Sequence, residues 1–195
     1  LFFYSFIAFL TWNIATTWWI VNSSLPGFIF ANLVNSLFYS LILILYSRVK
    51  RKVDFKAGAL FFITFWIAFE KFHLNWEFSW PWLNLGNVFS ENILWIQWYE
   101  YTGVYGGSLW VLVLNVWIFS ILKKHQELTD FKALTRKLIG PLLLIALPIA
   151  GSICLYQQVT DGKKNIKVAL VQPNIDPYNT KYQVTNAAFL KLWTE

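Results

Sequence analysis

Ionisable side chains cluster near the end of one apolar segment, where they could do chemistry. Glu70, Lys71 and His73 end a segment that begins near Ala57, and Glu100 lies in the following loop. An ionisable group near the end of a membrane span is costly unless it is paired or faces a polar cavity. Two interpretations stay open for Glu70: a polar contact that holds a cavity or grips a lipid headgroup, or snorkelling to the membrane surface.

The stretch from 75 to 107 is long, aromatic and rich in turn-forming residues. Pro81 fixes one backbone angle, and several glycines permit conformations or close approaches that other residues forbid. This pattern predicts a re-entrant or interfacial element that lines a lipid-substrate cavity; the alternative is an ordinary aromatic belt with loops. The candidate cavity-lining or substrate-binding residues of this region are Glu70, Pro81, Trp82, Gln97, Glu100 and Tyr101.

The other reactive side chains do not form a catalytic or metal-binding pattern. Cys154 is the single cysteine and lies in an apolar stretch, so we interpret it as a small membrane-helix residue. No His, Cys and Asp spacing suits zinc, and no phosphate-binding glycine loop or nucleophile elbow occurs. We therefore expect neither a metal nor a cofactor. Four asparagines inside apolar segments are expected to hydrogen-bond between helices: Asn13, Asn32, Asn35 and Asn115.

The composition indicates a membrane protein. Of the 195 residues, 57% are hydrophobic, 20% aromatic and 13% charged, whereas a soluble domain carries about 25% charged residues. The chain contains no Met and starts inside an apolar run, and its last residues resemble an unfinished amphipathic helix. We therefore expect further protein before Leu1 and after Glu195.

Five apolar segments supply the spans of a polytopic α-helical bundle. A bilayer core needs roughly 20 helical residues, and the two shorter segments reach this length with their aromatic flanks. The segments cover residues 1–21, 28–46, 57–74, 108–122 and 138–159. The sequence thus predicts a transmembrane helical domain over residues 1–160.

Positive charge alternates between the loops. Lys and Arg fill 48–56 and 123–137, whereas 22–27 and 75–107 contain none. Basic loops stay in the cytoplasm, so we expect the two loops without Lys or Arg, and everything after about 160, to lie on the other side. The basic residues at these membrane exits account for the net charge of +6, so we expect no nucleic-acid partner.

The sequence changes character after residue 160. Residues 165–172 alternate and then become continuously apolar, as a buried strand does, and 173–177 is a cluster of helix and strand breakers. A helix is expected to begin near Tyr182. This strand–helix unit is too short to fold alone, so residues 161–195 are predicted to begin a larger α/β domain.

Three stretches resemble the bacterial apolipoprotein N-acyltransferases, particularly those of the Bacteroidetes group. They are Trp12–Ile20, the run from Glu70 through Trp80-Pro81-Trp82-Leu83 to Gly106, and Val168–Pro177 with Lys181 and Tyr182 following. The resemblance implies a helical membrane domain that carries a nitrilase-like α/β domain on the periplasmic side of the bacterial inner membrane. It also implies that Tyr182 occupies the position of an aromatic residue, usually Trp, near the lipid at the cavity mouth.

The family's reaction follows from the same resemblance. These enzymes move an acyl chain from a phospholipid to the N-terminal diacylglyceryl-cysteine amine of a lipoprotein, through a thioester on a Cys nucleophile. A Glu serves as general base and a Lys stabilises the oxyanion. The implied partners are the phospholipid donor, the lipoprotein acceptor and the bilayer, with the enzyme as a monomer.

No residue of this chain matches that catalytic triad. The family positions of the Glu, Lys and Cys fall beyond Glu195, and Cys154 is not the nucleophile. We therefore expect the 195-residue chain to be inactive by itself. Two rivals remain: another membrane nitrilase-like acyltransferase with a different amine acceptor, and a non-enzymatic membrane transporter or scaffold.

Overall fold

A computed structural model describes residues 1–125, 131–158, 167–170 and 172. Its described part contains α-helices and short 3₁₀ turns. The α-helices are α1 (Phe2–Thr17), α2 (Leu25–Val49), α3 (Phe55–Leu74), α4 (Tyr99–His125) and α5 (Phe131–Gln158). The 3₁₀ turns cover Trp18–Asn22, Pro81–Leu83, Leu85–Phe89 and Ile93–Trp95. The chain divides into two compact units, Leu1–Val159 and Thr160–Glu195.

Four helices are long and apolar enough to cross a membrane. They are α2, α3, the part of α4 over Tyr99–Lys123 and the part of α5 over Leu134–Gln158. With 16 residues, α1 is about 24 Å long, which is less than the roughly 30 Å hydrocarbon core. The prediction of five spanning helices is thus confirmed for four of them. The first helix is shorter than predicted because Thr17 leaves the helical conformation and a 3₁₀ turn follows.

Side-chain caps set the starts of two helices. The Ser24 hydroxyl accepts the Gly27 N–H at 3.2 Å, so α2 begins at Leu25, earlier than the Phe28 that hydropathy indicated. Asp54 Oδ1 accepts the Ala57 N–H at 2.9 Å at the start of α3. Such caps satisfy backbone donors that the first helical turn leaves free.

The fourth helix begins nine residues before the predicted Ser108. The sequence pattern did not indicate the start at Tyr99, because Gly103 interrupts the helical geometry with φ 64° and ψ −174°. Glycine is essentially the residue type that adopts this combination of angles. The break separates the first turn of α4, which contributes Tyr99 to the candidate site, from the rest of the helix.

An aromatic cluster centred on Tyr39 holds the first three helices together. The Tyr39 side chain is 1% exposed. Its ring centroid lies 5.3 Å from that of Phe9 and 5.4 Å from that of Trp12, both on α1. On α3 it lies 5.0 Å from Trp66 and 5.5 Å from Phe69. Each favourable aromatic pair adds about 0.5–1.5 kcal/mol beyond its burial.

The asparagines inside the apolar segments mostly serve their own helices. The side-chain amides of Asn13, Asn32 and Asn115 each donate to the carbonyl four residues earlier. The expected bonds between helices are therefore wrong for these three residues, because the preceding turn supplies an acceptor already in place. The expectation is right for Asn35, whose partner lies on α3.

The predicted strand over 166–172 does not appear in its described residues. Residues 167–170 and 172 have no regular secondary structure and are exposed. A strand needs neighbouring strands for its backbone hydrogen bonds, and the described residues include none. The rest of this strand, and the helix predicted near Tyr182, lie outside the described residues.

We expect Tyr39→Ala to destabilise the bundle by about 3–5 kcal/mol, because it removes the ring that joins α1 to α3. Tyr39→Phe keeps the ring and should cost far less. Thermal unfolding of the detergent-purified protein measures both. Tyr4→Ala is the matched control, since Tyr4 is 78% exposed; equal losses from Tyr4→Ala and Tyr39→Ala would contradict the assignment.

Candidate functional site

Glu70 is buried and anchors a loop. Its side chain is 3% exposed, which rules out snorkelling to the surface. Glu70 Oε1 accepts the Leu85 backbone N–H at 2.9 Å and the Trp66 indole N–H at 3.1 Å. Among the described residues its hydrogen-bond partners are therefore Trp66 and Leu85, rather than Lys71 or His73. This burial contradicts the snorkelling interpretation, and a role of Glu70 in holding a cavity or gripping a lipid headgroup stays a prediction.

The next backbone N–H of the same loop is held from two sides. The Gly86 N–H donates to Asn84 Oδ1 at 3.0 Å and to Ser108 Oγ at 3.0 Å. The Ser108 hydroxyl in turn donates to Asn84 Oδ1 at 2.9 Å. The Tyr99 hydroxyl donates to the Gly86 carbonyl at 2.9 Å. We call this network the Glu70 site; it comprises Trp66, Glu70, Asn84, Leu85, Gly86, Tyr99 and Ser108.

Backbone contact between the loop and α4 requires glycine at Gly86. A Cβ atom there would collide with the carbonyl oxygen of Val104. At Gly107, a Cβ would stand 3.0 Å from the Gly86 Cα and collide with the Tyr99 hydroxyl. The loop thus lies directly on the helix backbone. This close approach explains two of the glycines that the sequence pattern had indicated.

Two atoms of the Glu70 site are buried without a hydrogen-bond partner, the acceptor Glu70 Oε2 and the donor Asn84 Nδ2. The Ser108 hydroxyl also lies beside the Glu70 carboxyl. However, its single proton serves Asn84 Oδ1 at 2.9 Å. An unsatisfied buried polar group costs about 1–3 kcal/mol. The Glu70 site therefore holds unsatisfied polar atoms inside an otherwise apolar helix bundle.

The predicted residues Pro81 and Trp82 lie on the outer side of the anchored loop. The Pro81 carbonyl accepts the Asn87 side-chain amide at 3.0 Å. Trp82 is 52% exposed, and its ring lies 4.8 Å from Trp80 and 5.7 Å from Trp19. These rings form an aromatic surface beside the Glu70 site.

The other predicted residues are not brought to Glu70. Glu100 is exposed and Tyr101 is 73% exposed, so both side chains point away from the core. Gln97 donates to the Ile93 carbonyl at 2.8 Å, a local bond within its own turn. Lys181 and Tyr182 lie outside the described residues.

The residues facing inward from this region are instead Trp98 and Tyr99. The Trp98 ring packs 5.7 Å from Trp110. The Ser152 hydroxyl of α5 donates to the Trp95 carbonyl at 2.9 Å and accepts the Trp98 N–H at 3.5 Å. Cys154 is exposed on the same helix.

A second feature is a cleft of about 280 Å³ between the start of α2, the end of α3 and residues 76–82. His73 lines this cleft and is 3% exposed. Its Nε2 lies 2.7 Å from Asn35 Oδ1. Three buried nitrogens of residues that line the cleft lack a partner: His73 Nδ1, Trp76 Nε1 and Trp80 Nε1. We call this feature the His73 cleft.

Sequence reasoning missed several of these residues. Asn84, Ser108 and Trp66 had no motif of their own. A usable signal was Asn84, because an Asn two residues before a glycine often binds its own backbone in a turn. Within residues 1–125, 131–158, 167–170 and 172, no group of three or more His, Cys, Asp or Glu is placed to hold a metal.

We expect Glu70→Ala to lower the free energy of unfolding by about 2–4 kcal/mol, because it leaves the Leu85 and Trp66 N–H groups buried without an acceptor. Glu70→Gln keeps an oxygen acceptor and should cost much less. Thermal unfolding of the purified variants distinguishes them. Glu77→Ala, at an exposed position, should change stability by less than about 0.5 kcal/mol. A Gln variant as unstable as the Ala variant would refute the role of the acceptor oxygen.

Comparisons with known proteins identify the family to which this chain belongs. Residues 1–117 match the family described as the apolipoprotein N-acyltransferase N-terminal domain. The chain is 29% identical over 177 residues to the apolipoprotein N-acyltransferase of Chlorobaculum tepidum, which covers 89% of this chain and 32% of that protein. The chain thus spans about a third of the length of this relative. No solved structure gives a significant match. The chain therefore belongs to the apolipoprotein N-acyltransferase family, and its helices are those of a multi-pass membrane protein.

Proposed function

We propose that the full-length protein is an apolipoprotein N-acyltransferase, which moves an acyl chain from a phospholipid to the N-terminal amine of diacylglyceryl-cysteine lipoproteins. The observation that carries the proposal is the family match over residues 1–117. Membrane-spanning helices support it, because the phospholipid donor and the lipid-modified end of the acceptor both reside in the bilayer. The chain covers 32% of its relative, so the activity is assigned to the whole protein.

The reaction we propose proceeds in two balanced steps. A Cys thiolate attacks the ester carbonyl of the phospholipid, a thioester forms and a lysophospholipid leaves with the proton that the general base took. The lipoprotein amine then attacks the thioester, an amide forms and the thiol is regenerated. The Glu, Lys and Cys for these steps are expected beyond Glu195, in a nitrilase-like domain that begins near residue 161. The division of the chain after Val159 is consistent with this boundary.

In this proposal, the membrane part positions the lipid rather than reacting with it. The Glu70 site fixes residues 84–86 against α4. The fixed loop carries Pro81 and Trp82 at the membrane end where the loops lack Lys and Arg. A rigid aromatic surface there would orient an acyl donor before attack, and fixed orientation is a large source of rate acceleration. Gln97, Glu100, Tyr101, Lys181 and Tyr182 stay candidate substrate-binding residues, on the family resemblance alone.

The proposed orientation places the reaction in the periplasm. The basic segments 48–56 and 123–137 would face the cytoplasm of a bacterium, and the Glu70 site the opposite side of its inner membrane. The charge pattern supports this orientation, since the loops at the other end contain no Lys or Arg.

We expect a membrane-impermeant maleimide to label Ser90→Cys from the periplasmic side of spheroplasts and to spare Lys52→Cys until the membrane is opened. Both side chains are exposed, so labelling reports sidedness. Both variants are made in a background in which Cys154 and the proposed catalytic Cys are replaced by Ser, so that the introduced cysteine alone is labelled. Labelling of Lys52→Cys in intact spheroplasts would reverse the proposed orientation.

We expect the full-length protein, reconstituted with phospholipid, to N-acylate a diacylglyceryl-cysteine peptide, whereas residues 1–195 alone give no product. Mass spectrometry of the peptide detects the added acyl chain. Cys154→Ser should keep full activity, because Cys154 is an exposed helix residue rather than the nucleophile. Acylation by residues 1–195 alone, or loss of acylation in the full-length Cys154→Ser variant, would contradict the assignment. If the protein acylates other amines but not this peptide, the result would favour a related acyltransferase with a different acceptor. If it acylates no amine, the result would favour a transporter or scaffold.

A further inference from the structure

We propose that a membrane helix of the full-length protein, from outside residues 1–195, packs into a groove along α3 and α4 and hydrogen-bonds to Asn115. The groove consists of two adjacent cavities of about 300 and 290 Å³, which share Phe62 and Asn115. We call it the Asn115 groove. The proposal rests on the proposed function only in taking the full-length protein to resemble its longer relative.

Asn115 places an accessible amide at hydrocarbon depth. It lies eight residues before Lys123, where the membrane-crossing part of α4 ends, and this spacing is about 12 Å along a helix. The hydrocarbon core is about 30 Å thick, so Asn115 lies near its middle. Asn13 and Asn32 are buried, whereas Asn115 is exposed. A partner can therefore reach its amide, and water is scarce at this depth.

The Asn115 amide has hydrogen-bonding capacity left for such a partner. A primary amide carries two N–H donors and an oxygen acceptor. In the described part of the chain, the hydrogen bond of Asn115 is the one from Nδ2 to the Val111 carbonyl at 2.8 Å. One N–H and the Oδ1 atom remain. Side-chain amides inside membrane proteins bond across helices, whereas an acyl chain offers neither a donor nor an acceptor.

The lining of the groove repeats with the period of a helix. The α4 residues of the first cavity are Val111, Leu112 and Asn115, and those of the second are Asn115, Val116 and Phe119. The second set is the first set shifted by four positions, which is about one helical turn, or 6 Å. Side chains at i and i+4 of a docked helix have this spacing, so they would enter the two cavities as ridges enter grooves.

The concave shape argues against a second copy of the chain as the occupant. A two-fold dimer brings the same surface of both copies together, and two concave surfaces cannot fill each other. Apart from Asn115, the first cavity is lined by aliphatic and aromatic residues. Lys50 lines the second cavity at the end of α2. The occupant must therefore present an apolar face with a hydrogen-bonding group opposite Asn115.

A protein as long as the relative can supply this helix. The chain covers 32% of the length of the Chlorobaculum tepidum protein, and one membrane helix needs about 20 residues. The first cavity is also lined by Leu85, whose N–H is held by Glu70. A helix in the groove would thus contact the anchored loop as well as Asn115.

Photo-cross-linking in membranes that contain the full-length protein identifies the occupant. Phe119 lines the groove and is 55% exposed. We expect benzoylphenylalanine in place of Phe119 to cross-link to a peptide of the same chain outside residues 1–195, which mass spectrometry of the digested protein identifies. The matched control places the same group at Leu147, which is 66% exposed on α5 and does not line the groove; it should give lipid adducts.

The other cross-linking products would overturn the proposal. They are a product of doubled mass, a product with another protein, a lipid adduct alone from Phe119, and a cross-link confined to residues 1–195. Equal capture of the same peptide from Phe119 and Leu147 would also overturn the placement in the groove.

The sign of a second measurement distinguishes a helix from lipid around Asn115. Asn115→Leu should lower the melting temperature of the full-length protein by about 2 °C, because a bond between helices is lost. If lipid surrounded Asn115, the same change would leave the melting temperature unchanged or raise it, since an apolar side chain would replace an amide in hydrocarbon.

Thr64→Val is the matched control for Asn115→Leu. Thr64 is exposed on α3, does not line the groove, and its hydroxyl donates its single proton to the Leu60 carbonyl at 2.8 Å. This variant should shift the melting temperature by less than about 1 °C. An unchanged or raised value in Asn115→Leu, or an equal decrease in Thr64→Val, would overturn the proposal.

Acyl transfer is measured separately on the same full-length samples. The expected cross-link without acyl transfer would support this proposal and contradict the proposed function. Acyl transfer in a protein whose Phe119 position gives lipid adducts alone would overturn this proposal and leave the proposed function standing.

Discussion

The arrangement of this bundle depends on one buried carboxylate that accepts a backbone N–H from a distant loop. Glu70 Oε1 holds the Leu85 amide at 2.9 Å. Water is scarce inside a membrane bundle, so a loop that turns inward needs protein partners for its backbone groups. Glu70 satisfies one N–H, and Asn84 and Ser108 satisfy the next one at Gly86. Without these acceptors, the loop would have to leave the core.

The scaffold around this anchor is built from separate contacts between neighbouring helices. Tyr39 joins α1, α2 and α3 through its ring contacts, and the bond from His73 to Asn35 ties α3 to α2. The fifth helix is held by the Trp110 indole, which donates to the Leu144 carbonyl at 2.7 Å. The Glu70 site adds the connection from α3 through the loop to α4. The loop therefore works as a structural bridge as well as an outer aromatic surface.

The sequence predicted the helices but not the details that place the site. Hydropathy locates apolar segments, yet it does not register the Ser24 cap or the Gly103 break, so the starts of α2 and α4 were misplaced. Glu70 could be recognised because a carboxylate in an apolar segment is costly. Its hydrogen-bond partner Leu85 could not be recognised from the sequence, because Leu85 contributes a backbone N–H that no side-chain pattern reveals. The prediction of bonds between helices was wrong for Asn13, Asn32 and Asn115 for a local reason, because the carbonyl four residues earlier lies within reach of each side-chain amide.

Hydrogen exchange at the Leu85 amide, followed by mass spectrometry in the full-length protein, tests the central claim most directly. Amides that are buried and bonded exchange slowly. The account predicts slow exchange over residues 84–89 in the wild type and in Glu70→Gln, and fast exchange over these residues alone in Glu70→Ala, with α3 and α4 still protected. Fast exchange of this loop in the wild type, or unchanged protection in Glu70→Ala, would contradict the claim that Glu70 holds the loop.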